Sequence, residues 1–180
     1  PSCSYSYVPE NTSLTWTAYK TNDTIPDGGA FDEVSVQGIL EANSQLDLLK
    51  SVVFEINTAS TNTNLPDRDA KIIKHFFGNL ADSATIKGKV IGIEGDENSG
   101  TAEIELSMNA LSQNINANYT INGNDIELAT EIDVANWDAS AAIAALNEVC
   151  YDLHKGSDGV SKLWSKVSIS ISTTVKKNCD

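Results

Sequence analysis

The run Asp67, Arg68 and Asp69 contains the residue types with the most specific polar chemistry in the sequence. Arg68 is the only arginine among twelve lysine and arginine residues. A guanidinium offers a planar fork of donors that lysine cannot reproduce, so this choice indicates a specific ion pair or bidentate hydrogen bonding. We interpret the run as a structural brace at the start of a helix. Recognition of a ligand headgroup is the alternative.

The two histidines, His75 and His154, are the other candidates for site chemistry. Neither lies in an HxH or HExxH spacing, so no metal site is predicted. The sequence also has no Gly-x-Ser-x-Gly elbow, no cysteine protease signature and no glycine motif for nucleotides. We therefore expect no cofactor and no enzyme activity. An enzyme that acts through Asp69, His75 or His154 is the alternative.

The charge of the chain restricts its partners. Its 180 residues carry a formal net charge of −13, with a pI near 4.4. The phosphates of nucleic acids would repel such a protein, and docking on an anionic membrane through a basic patch is not expected either. The sequence has no run of eighteen apolar residues, so no transmembrane segment is predicted. The length suits one domain over residues 1–180, and the start at Pro1 suggests a processed chain.

Three cysteines, Cys3, Cys150 and Cys179, leave several states open. In an exported protein an odd number predicts one disulfide and one free thiol. In a reducing cytosol all three would be free thiols. A lipid anchor on Cys3 is a third reading.

Alternation of apolar and polar residues predicts roughly eight β-strands, which indicates a β-sandwich or a closed β-barrel. Residues 20–29 and 43–48 are predicted as connections, and Asn122, Gly123 and Asn124 as a hairpin turn. The apolar faces of the predicted strands are Leu14, Trp16 and Ala18; Val34, Val36 and Leu40; Val52, Phe54 and Ile56; Ile86 and Val90; Ala102, Ile104, Leu106 and Met108; Ile115, Ala117, Tyr119 and Ile121; Ile126, Leu128 and Ile132; and Val167, Ile169 and Ile171.

Two helical insertions are predicted between these strands. The first follows Pro66, with Asp67 or Asp69 as its N-cap and Gly78 after its last turn. Its apolar residues are Ile72, Ile73, Phe76 and Phe77. The second begins after Asp138 and has an apolar stripe that must be buried, formed by Ile143, Leu146, Val149, Cys150 and Leu153.

The order strand, ASTNTN, DRDAKIIKHFF in residues 51–77 resembles the central motif of the YceI-like family of periplasmic, polyisoprenoid-binding proteins. Elsewhere WTAYK, ATEIDVANW and KVSISIS are similar to the first strand, the approach to the late helix and the closing strand of that family. The chain departs from it at Asn11, Thr12 and Ser13, where many members carry a histidine before the first strand. A ligand contact of that histidine therefore does not transfer to this chain.

The resemblance implies an all-β protein, namely an antiparallel eight-stranded lipocalin-like β-barrel with two short helical insertions. In such a barrel the first and last strands are neighbours, which brings the chain ends together. We therefore expect a disulfide between Cys3 and Cys179, with Cys150 free. A periplasmic or secreted location is implied as well, with a lipid anchor as an alternative, and a homodimer is left open.

The function implied is binding, sequestration or transport of a long apolar ligand, such as an isoprenoid quinone, a polyprenyl chain or a fatty acyl amphiphile. The head of the ligand is expected near the helices after Asp67 and Asp138. The alternatives are an enzyme that acts on such a lipid and a structural or stress-response barrel without a ligand. The expected ligand-binding residues are Trp16, Phe54, Phe76, Leu106, Met108, Tyr119, Leu128, Trp137, Leu146 and Ile169.

Overall fold

The elements of the fold come from a computed structural model, which describes residues 2–38 and 41–180. Within these residues the chain forms thirteen β-strands and three α-helices. The helices are α1 (Gln45–Lys50), α2 (Pro66–Lys71) and α3 (Ser140–Val149). The strands are β1 (Cys3–Ser6), β2 (Thr12–Lys20), β3 (Ile25–Phe31), β4 (Val34–Gly38), β5 (Glu41–Ala42), β6 (Val52–Asn57), β7 (Thr61–Asn62), β8 (Thr85–Gly95), β9 (Ser99–Met108), β10 (Leu111–Asn122), β11 (Asp125–Asp133), β12 (Leu163–Thr174) and β13 (Lys176–Cys179).

Ten of the described strands form one antiparallel sheet in the order β4-β6-β8-β9-β10-β11-β12-β2-β3-β7. Only Asp32 and Glu33 separate β3 from β4, and only the turn Thr58–Ser60 separates β6 from β7. The amide of Asp32 donates to the carbonyl of Ser60, and the amide of Asn57 donates to that of Glu33. Strands β3 and β4 therefore behave as one bent strand, and so do β6 and β7. Counted in this way, the sheet curls around the interior as eight continuous strands. The expected antiparallel β architecture is confirmed, whereas the predicted count of eight strands is corrected to ten in this sheet.

Alternating burial along the strands explains how the sheet encloses a core. In β10 the buried side chains of Ala117, Tyr119 and Ile121 alternate with exposed polar ones, because successive residues of a strand point to opposite faces. The turn between β10 and β11 consists of Gly123 and Asn124, and Gly123 has a φ of +62°. Glycine adopts this left-handed conformation readily, so the predicted Asn-Gly hairpin is confirmed.

A second sheet of three short strands, β13-β1-β5, lies outside the large one. Strand β1 pairs with β13 along its whole length, with Cys3 opposite Cys179. The two cysteines are joined in a disulfide, and Cys150 is the free cysteine among the described residues. Strand β1 precedes the first strand that the sequence predicts, which begins at Leu14. Leu40, expected on the second strand, lies outside the described residues.

Helix α1 begins within residues 43–48, which the sequence predicts as a connection. It begins after Ser44, whose hydroxyl accepts a hydrogen bond from the amide of Asp47 at 3.1 Å. The helix buries Leu48 and Leu49 almost completely. Full burial of such side chains contributes about 1.5–3 kcal/mol each. The prediction of two helices is therefore corrected to three.

The two predicted helices are present, with different boundaries. Helix α2 has Leu65 as its N-cap residue and Pro66 as its first residue, so the expected cap at Asp67 or Asp69 is wrong. Proline suits this position because its missing N–H would have no helical partner there. The helix continues as a π-helical segment, Ile72–Phe76, and a 3₁₀ turn, Phe77–Asn79. In and after α3 the apolar stripe is narrower than predicted, since Val149 and Leu153 are exposed.

Candidate ligand-binding site

The curled sheet encloses a cavity of about 170 Å³. Its wall is almost entirely aliphatic and aromatic. A dry apolar cavity of about 150 Å³ is large enough to bind a benzene-sized molecule. The cavity in its present shape therefore accommodates an apolar group, and a long chain would also have to occupy its mouth or widen its interior.

Inward-facing strand residues and two helical segments build this wall together. Leu14 and Trp16 come from β2, Leu106 from β9 and Ile169 from β12, each on the inner face of its strand. The π-helical segment after α2 and helix α3 cover one end of the cavity. Their contributions are Ile72, Phe76, Ile143, Leu146 and Cys150.

Aromatic contacts join the sheet to the segment after α2. Phe77 lies 5.9 Å from Phe31 of β3, measured between ring centroids, and 5.0 Å from Phe76 in an edge-on arrangement. Phe31 in turn lies 6.4 Å from Trp16. Such pairs stabilise by about 0.5–1.5 kcal/mol beyond the area that they bury. The segment is therefore fixed to the wall at the level of Trp16.

Two glycines make room for aromatic rings on this wall. Gly88 of β8 lies opposite Phe54 of β6, and a Cβ atom at position 88 would overlap the Phe54 ring. Gly29 of β3 lies opposite Trp16 of β2, and a Cβ atom there would be 2.5 Å from Cζ2 of the indole. Both rings lie close to a glycine of the neighbouring strand, so the cavity shape depends on these glycines.

The two ends of the sheet differ. At one end α1 lies near the β10–β11 turn, since Nε2 of Gln45 donates to the carbonyl of Gly123 at 2.9 Å. We call this the α1 end; the buried Leu48 and Leu49 cover it. At the opposite end, the α3 end, Nδ2 of Asn109 in the β9–β10 turn donates to the carbonyl of Trp137 at 2.8 Å. Polar residues of the cavity wall gather at the α3 end.

The charged part of the wall is a cluster of Lys20, Asp27 and Arg68. Oδ1 of Asp27 lies 2.7 Å from a guanidinium nitrogen of Arg68, and its Oδ2 lies 3.3 Å from Nζ of Lys20. The side chains are 21–29% exposed, so water reaches the cluster. The two cations share one carboxylate, and the bidentate Arg68 pair considered from the sequence does not form. The expected ion pair that links the start of α2 to the sheet is present.

The other two residues of the predicted motif face elsewhere. Asp69 accepts hydrogen bonds through Oδ1 from the amide of Thr63, at 2.7 Å, and from its hydroxyl, at 2.6 Å. It thereby fixes the loop before α2 to the helix. Asp67 lies in the first turn of α2. Neither carboxylate lies on the cavity wall.

His154 and Cys150 complete the α3 end of the wall. Nδ1 of His154 lies 2.7 Å from the amide oxygen of Asn147, which can only accept, so Nδ1 carries the proton. Burial lowers the pKa of His154, and the charges of Lys20 and Arg68 lower it further. Burial raises the pKa of the Cys150 thiol. Both side chains are therefore neutral at pH 7.

Trp16 carries a polar group without a partner. Within the described residues its Nε1 is buried and makes no hydrogen bond. By contrast, Nε1 of Trp164 donates to the carbonyl of Thr21 at 2.7 Å, and the hydroxyl of Tyr19 lies 2.8 Å from that of Ser168. A buried donor without an acceptor costs about 1–3 kcal/mol. The wall thus has an unused hydrogen-bond donor.

The structure places eight of the ten predicted ligand-binding residues on the cavity wall: Trp16, Phe54, Phe76, Leu106, Met108, Leu128, Leu146 and Ile169. The other two, Tyr119 and Trp137, do not line the cavity, because both are buried elsewhere in the core. The Tyr119 hydroxyl donates to the carbonyl of Asp96, and Nε1 of Trp137 donates to the carbonyl of Leu106. Both rings therefore belong to the filled part of the core.

Sequence reasoning missed two charged residues of the wall, Lys20 and Asp27. Lys20 continues the inward alternation of Trp16 and Ala18, so the pattern could have identified it. Asp27 gave no such signal, because the surrounding Pro26, Gly28 and Gly29 indicate a loop. Of the residues weighed for catalysis, only His154 lies on the wall; His75 and Asp69 do not.

Comparisons with known proteins agree on one family. The YceI-like domain matches residues 5–175. Solved structures similar to this one include a polyisoprenoid binding domain from Saccharophagus degradans implicated in plant cell wall breakdown, with a TM-score of 0.68 at 14% identity, covering 97% of this chain and 98% of that chain. Another is BcnA of Burkholderia cenocepacia, with a TM-score of 0.65 at 14% identity, covering 94% and 99%. The YCEI protein of Campylobacter jejuni gives a TM-score of 0.56 at 15% identity, covering 84% and 85%.

A comparison with curated proteins gives no match. At these low identities the structural neighbours establish the lipocalin-like fold, and the family match extends over nearly the whole chain. Within the described residues, no helix combines the length and apolar character needed to cross a bilayer.

Proposed function

The chain belongs to the YceI-like family, and we propose that it binds a long apolar molecule inside the curled sheet, as a carrier or a sequestering protein without enzyme activity. One observation carries the proposal. Strands on every side of the curled sheet, from β2 to β12 in chain order, give apolar side chains to the cavity wall, and its polar groups gather at the α3 end. A neighbour of the same fold is described as a polyisoprenoid binding domain, which supports the same class of ligand. Candidates are an isoprenoid quinone, a polyprenyl chain or a fatty acyl chain.

Burial of the chain supplies the affinity. Each CH₂ group removed from water contributes about 0.8 kcal/mol, so a tail with several buried methylenes binds without a strong polar contact. We place the tail between Phe54, Leu106, Met108, Leu128 and Ile169, and the head at the α3 end. Because the cavity measures about 170 Å³, a single tail fits better than a double one.

Two features support binding over catalysis. The carboxylate of Asp69 is engaged with Thr63, away from the cavity wall. His154 lies on the wall with Nδ1 facing Asn147, which leaves Nε2 as the nitrogen that could act as a base. Covalent catalysis needs such a base beside an activated nucleophile. The free Cys150 thiol, whose pKa is raised, is a poor nucleophile at neutral pH.

We also propose that the protein acts in an oxidising compartment, the periplasm or outside the cell. The disulfide between Cys3 and Cys179 supports this, because disulfides persist in oxidising environments. Alkylation of the unfolded protein without reduction should label Cys150 alone. Labelling of all three cysteines in protein taken from its native source would contradict the proposal.

A neutral naphthylamine dye that fluoresces in apolar surroundings tests the binding proposal. We expect saturable binding by the wild type and displacement by hexadecanol. The variant Leu106→Trp should weaken binding by about tenfold or more, because the added ring takes space that the chain needs. Ile91→Trp is the matched control, since Ile91 lies in β8 with 44% of its surface exposed. No dye binding by folded wild type, or equal loss in both variants, would contradict the proposal and leave a filled core.

A further inference from the structure

The cavity wall has a charge opposite to that of the protein as a whole. Within the described residues, the wall includes two cations, Lys20 and Arg68, and one anion, Asp27. With His154 neutral, the wall carries a net charge of +1. The whole chain has a formal net charge of −13. The cation excess is therefore local to the cavity, at its α3 end.

Hydrogen-bond donors also exceed acceptors there. Each carboxylate oxygen of Asp27 already faces one cation, Arg68 at 2.7 Å or Lys20 at 3.3 Å. An ammonium has three donor hydrogens and a guanidinium has five, so both cations retain unused donors. Four residues before Lys20, on the same inward face of β2, the buried Nε1 of Trp16 also lacks a partner among the described residues.

The rest of the wall requires an apolar tail. Phe54, Leu106 and Ile169 lie on the wall, and α1 covers the end of the sheet opposite the cluster. A molecule that satisfies both parts has one apolar chain and a head rich in acceptors. An anionic oxygen head provides acceptors without adding donors, and its hydrogen bonds to cations are about twice as strong as neutral ones.

We propose that the preferred ligand is a single-chain anionic amphiphile, whose carboxylate or phosphate head is held between Lys20 and Arg68 at the α3 end. The inference rests on the binding function proposed above and adds the chemical class of the head. Asp27 then has two roles: it holds the two cations in place and it limits their attraction for the head. The head contacts are partly exposed to water, so the preference is moderate and weakens with salt.

Matched ligands that differ only in their head test this inference. Displacement of the neutral dye would be measured with hexadecanoate, hexadecyl phosphate and hexadecanol, each below the concentration at which it forms micelles. We expect wild-type protein to bind at least one of the anions about tenfold more tightly than the alcohol at low salt. The two anions separate a fatty acid ligand from a phosphorylated lipid.

Charge variants distinguish head recognition from a general charge effect. Lys20→Met and Arg68→Met should each reduce the ratio of anion to alcohol affinity by several-fold. Lys87→Met is the matched control, because Lys87 pairs with Glu55 at 3.9 Å on the exposed face of β8 and should leave the ratio unchanged. Asp27→Asn should raise the ratio, since it removes the anion from the cluster. That increase is expected even if the variant is less stable.

The outcomes distinguish a failure of the head inference from a failure of the binding function. Equal affinity for the alcohol and both anions in the wild type, or a lower ratio in Asp27→Asn, would overturn the anionic head while the binding function stands. Failure of the dye and of all three ligands to bind would refute the binding function, and the head inference with it. If Arg68→Met does not fold, the wild-type ratio together with Lys20→Met and Asp27→Asn decides the question.

Discussion

The side chain of Asp27 connects the start of α2 to the sheet. Its two oxygens face Arg68 and Lys20, and none of the three side chains is more than 29% exposed. As the only arginine of the chain, Arg68 is interpreted from the sequence as a brace, and the ion pair with Asp27 agrees with that interpretation. The sequence could not identify Asp27 as the partner, because the contact depends on a strand that looks like a loop.

The first prediction compares both members of this pair. Arg68→Lys keeps the charge and shortens the reach, so we expect the free energy of unfolding to fall by less than about 1 kcal/mol. Asp27→Asn should cost more than Arg68→Lys, because it leaves Lys20 and Arg68 facing each other without a carboxylate. Urea unfolding would measure both.

The matched control for these two variants is Glu55→Gln, which removes the carboxylate of the exposed Lys87 pair. We expect almost no change in stability there. If Arg68→Lys and Asp27→Asn were also indistinguishable from the wild type, the cluster would contribute nothing to holding α2 on the sheet.

The second prediction concerns the pH dependence of stability. Burial and the nearby Lys20 and Arg68 lower the pKa of His154 in the folded protein below its unfolded value of about 6.5. Between the two pKa values the unfolded chain binds more protons, so the free energy of unfolding decreases as the pH falls through this window. His154→Gln should reduce that decrease. Urea unfolding at about pH 7 and about pH 5 measures the difference.

His75→Gln is the matched control, since it removes the other histidine and leaves His154 in place. It should retain the wild-type difference between the two pH values. An equal effect of the two histidine variants would contradict the assignment to His154.

At the scale of elements, the strands with regular alternation could be predicted, and the irregular ones could not. Strands β9, β10 and β11 alternate strictly and are found where expected. Strand β3 reads as a loop because of Pro26, Asp27 and its two glycines. It is held by pairing with β2 over seven residues, from Leu14 opposite Phe31 to Lys20 opposite Ile25. Tertiary pairing therefore overrides local propensity.

The role of Gly29 shows why composition was misleading. Here glycine admits the Trp16 ring close to the backbone and does not form a turn. Helix α1 escaped detection for another reason, since six residues are too few for a helical period to stand out.

The third prediction tests the close approach of a ring to a strand. In Gly88→Ala the new Cβ atom would overlap the Phe54 ring and push it into the cavity. We expect a loss of about 1–3 kcal/mol in stability and weaker dye binding. Gly92→Ala is the control in the same strand, because its nearest neighbour would be 3.9 Å away and the expected change is within about 0.5 kcal/mol. Equal effects would show that Phe54 adapts freely.

At the scale of the whole molecule, the family resemblance supplied what periodicity could not. Alternation alone leaves a sandwich and a barrel open, whereas the structure curls ten strands around one interior. The resemblance also suggested a connection between the chain ends. The structure makes it through a separate three-stranded sheet, with Cys3 opposite Cys179. The cavity itself could not be read from the sequence, since the same alternating residues build a filled core.

Native mass spectrometry of the purified protein, before and after extraction with organic solvent, tests the central claim most directly. We predict one additional mass per chain, which matches a single long-chain lipid, disappears on extraction and is displaced by the neutral dye. Protein purified without its lipid should take up one molecule of added hexadecanol. A bare polypeptide mass under all these conditions, with no uptake of the alcohol or of a matched fatty acid, would contradict the claim that the curled sheet is a ligand-binding container.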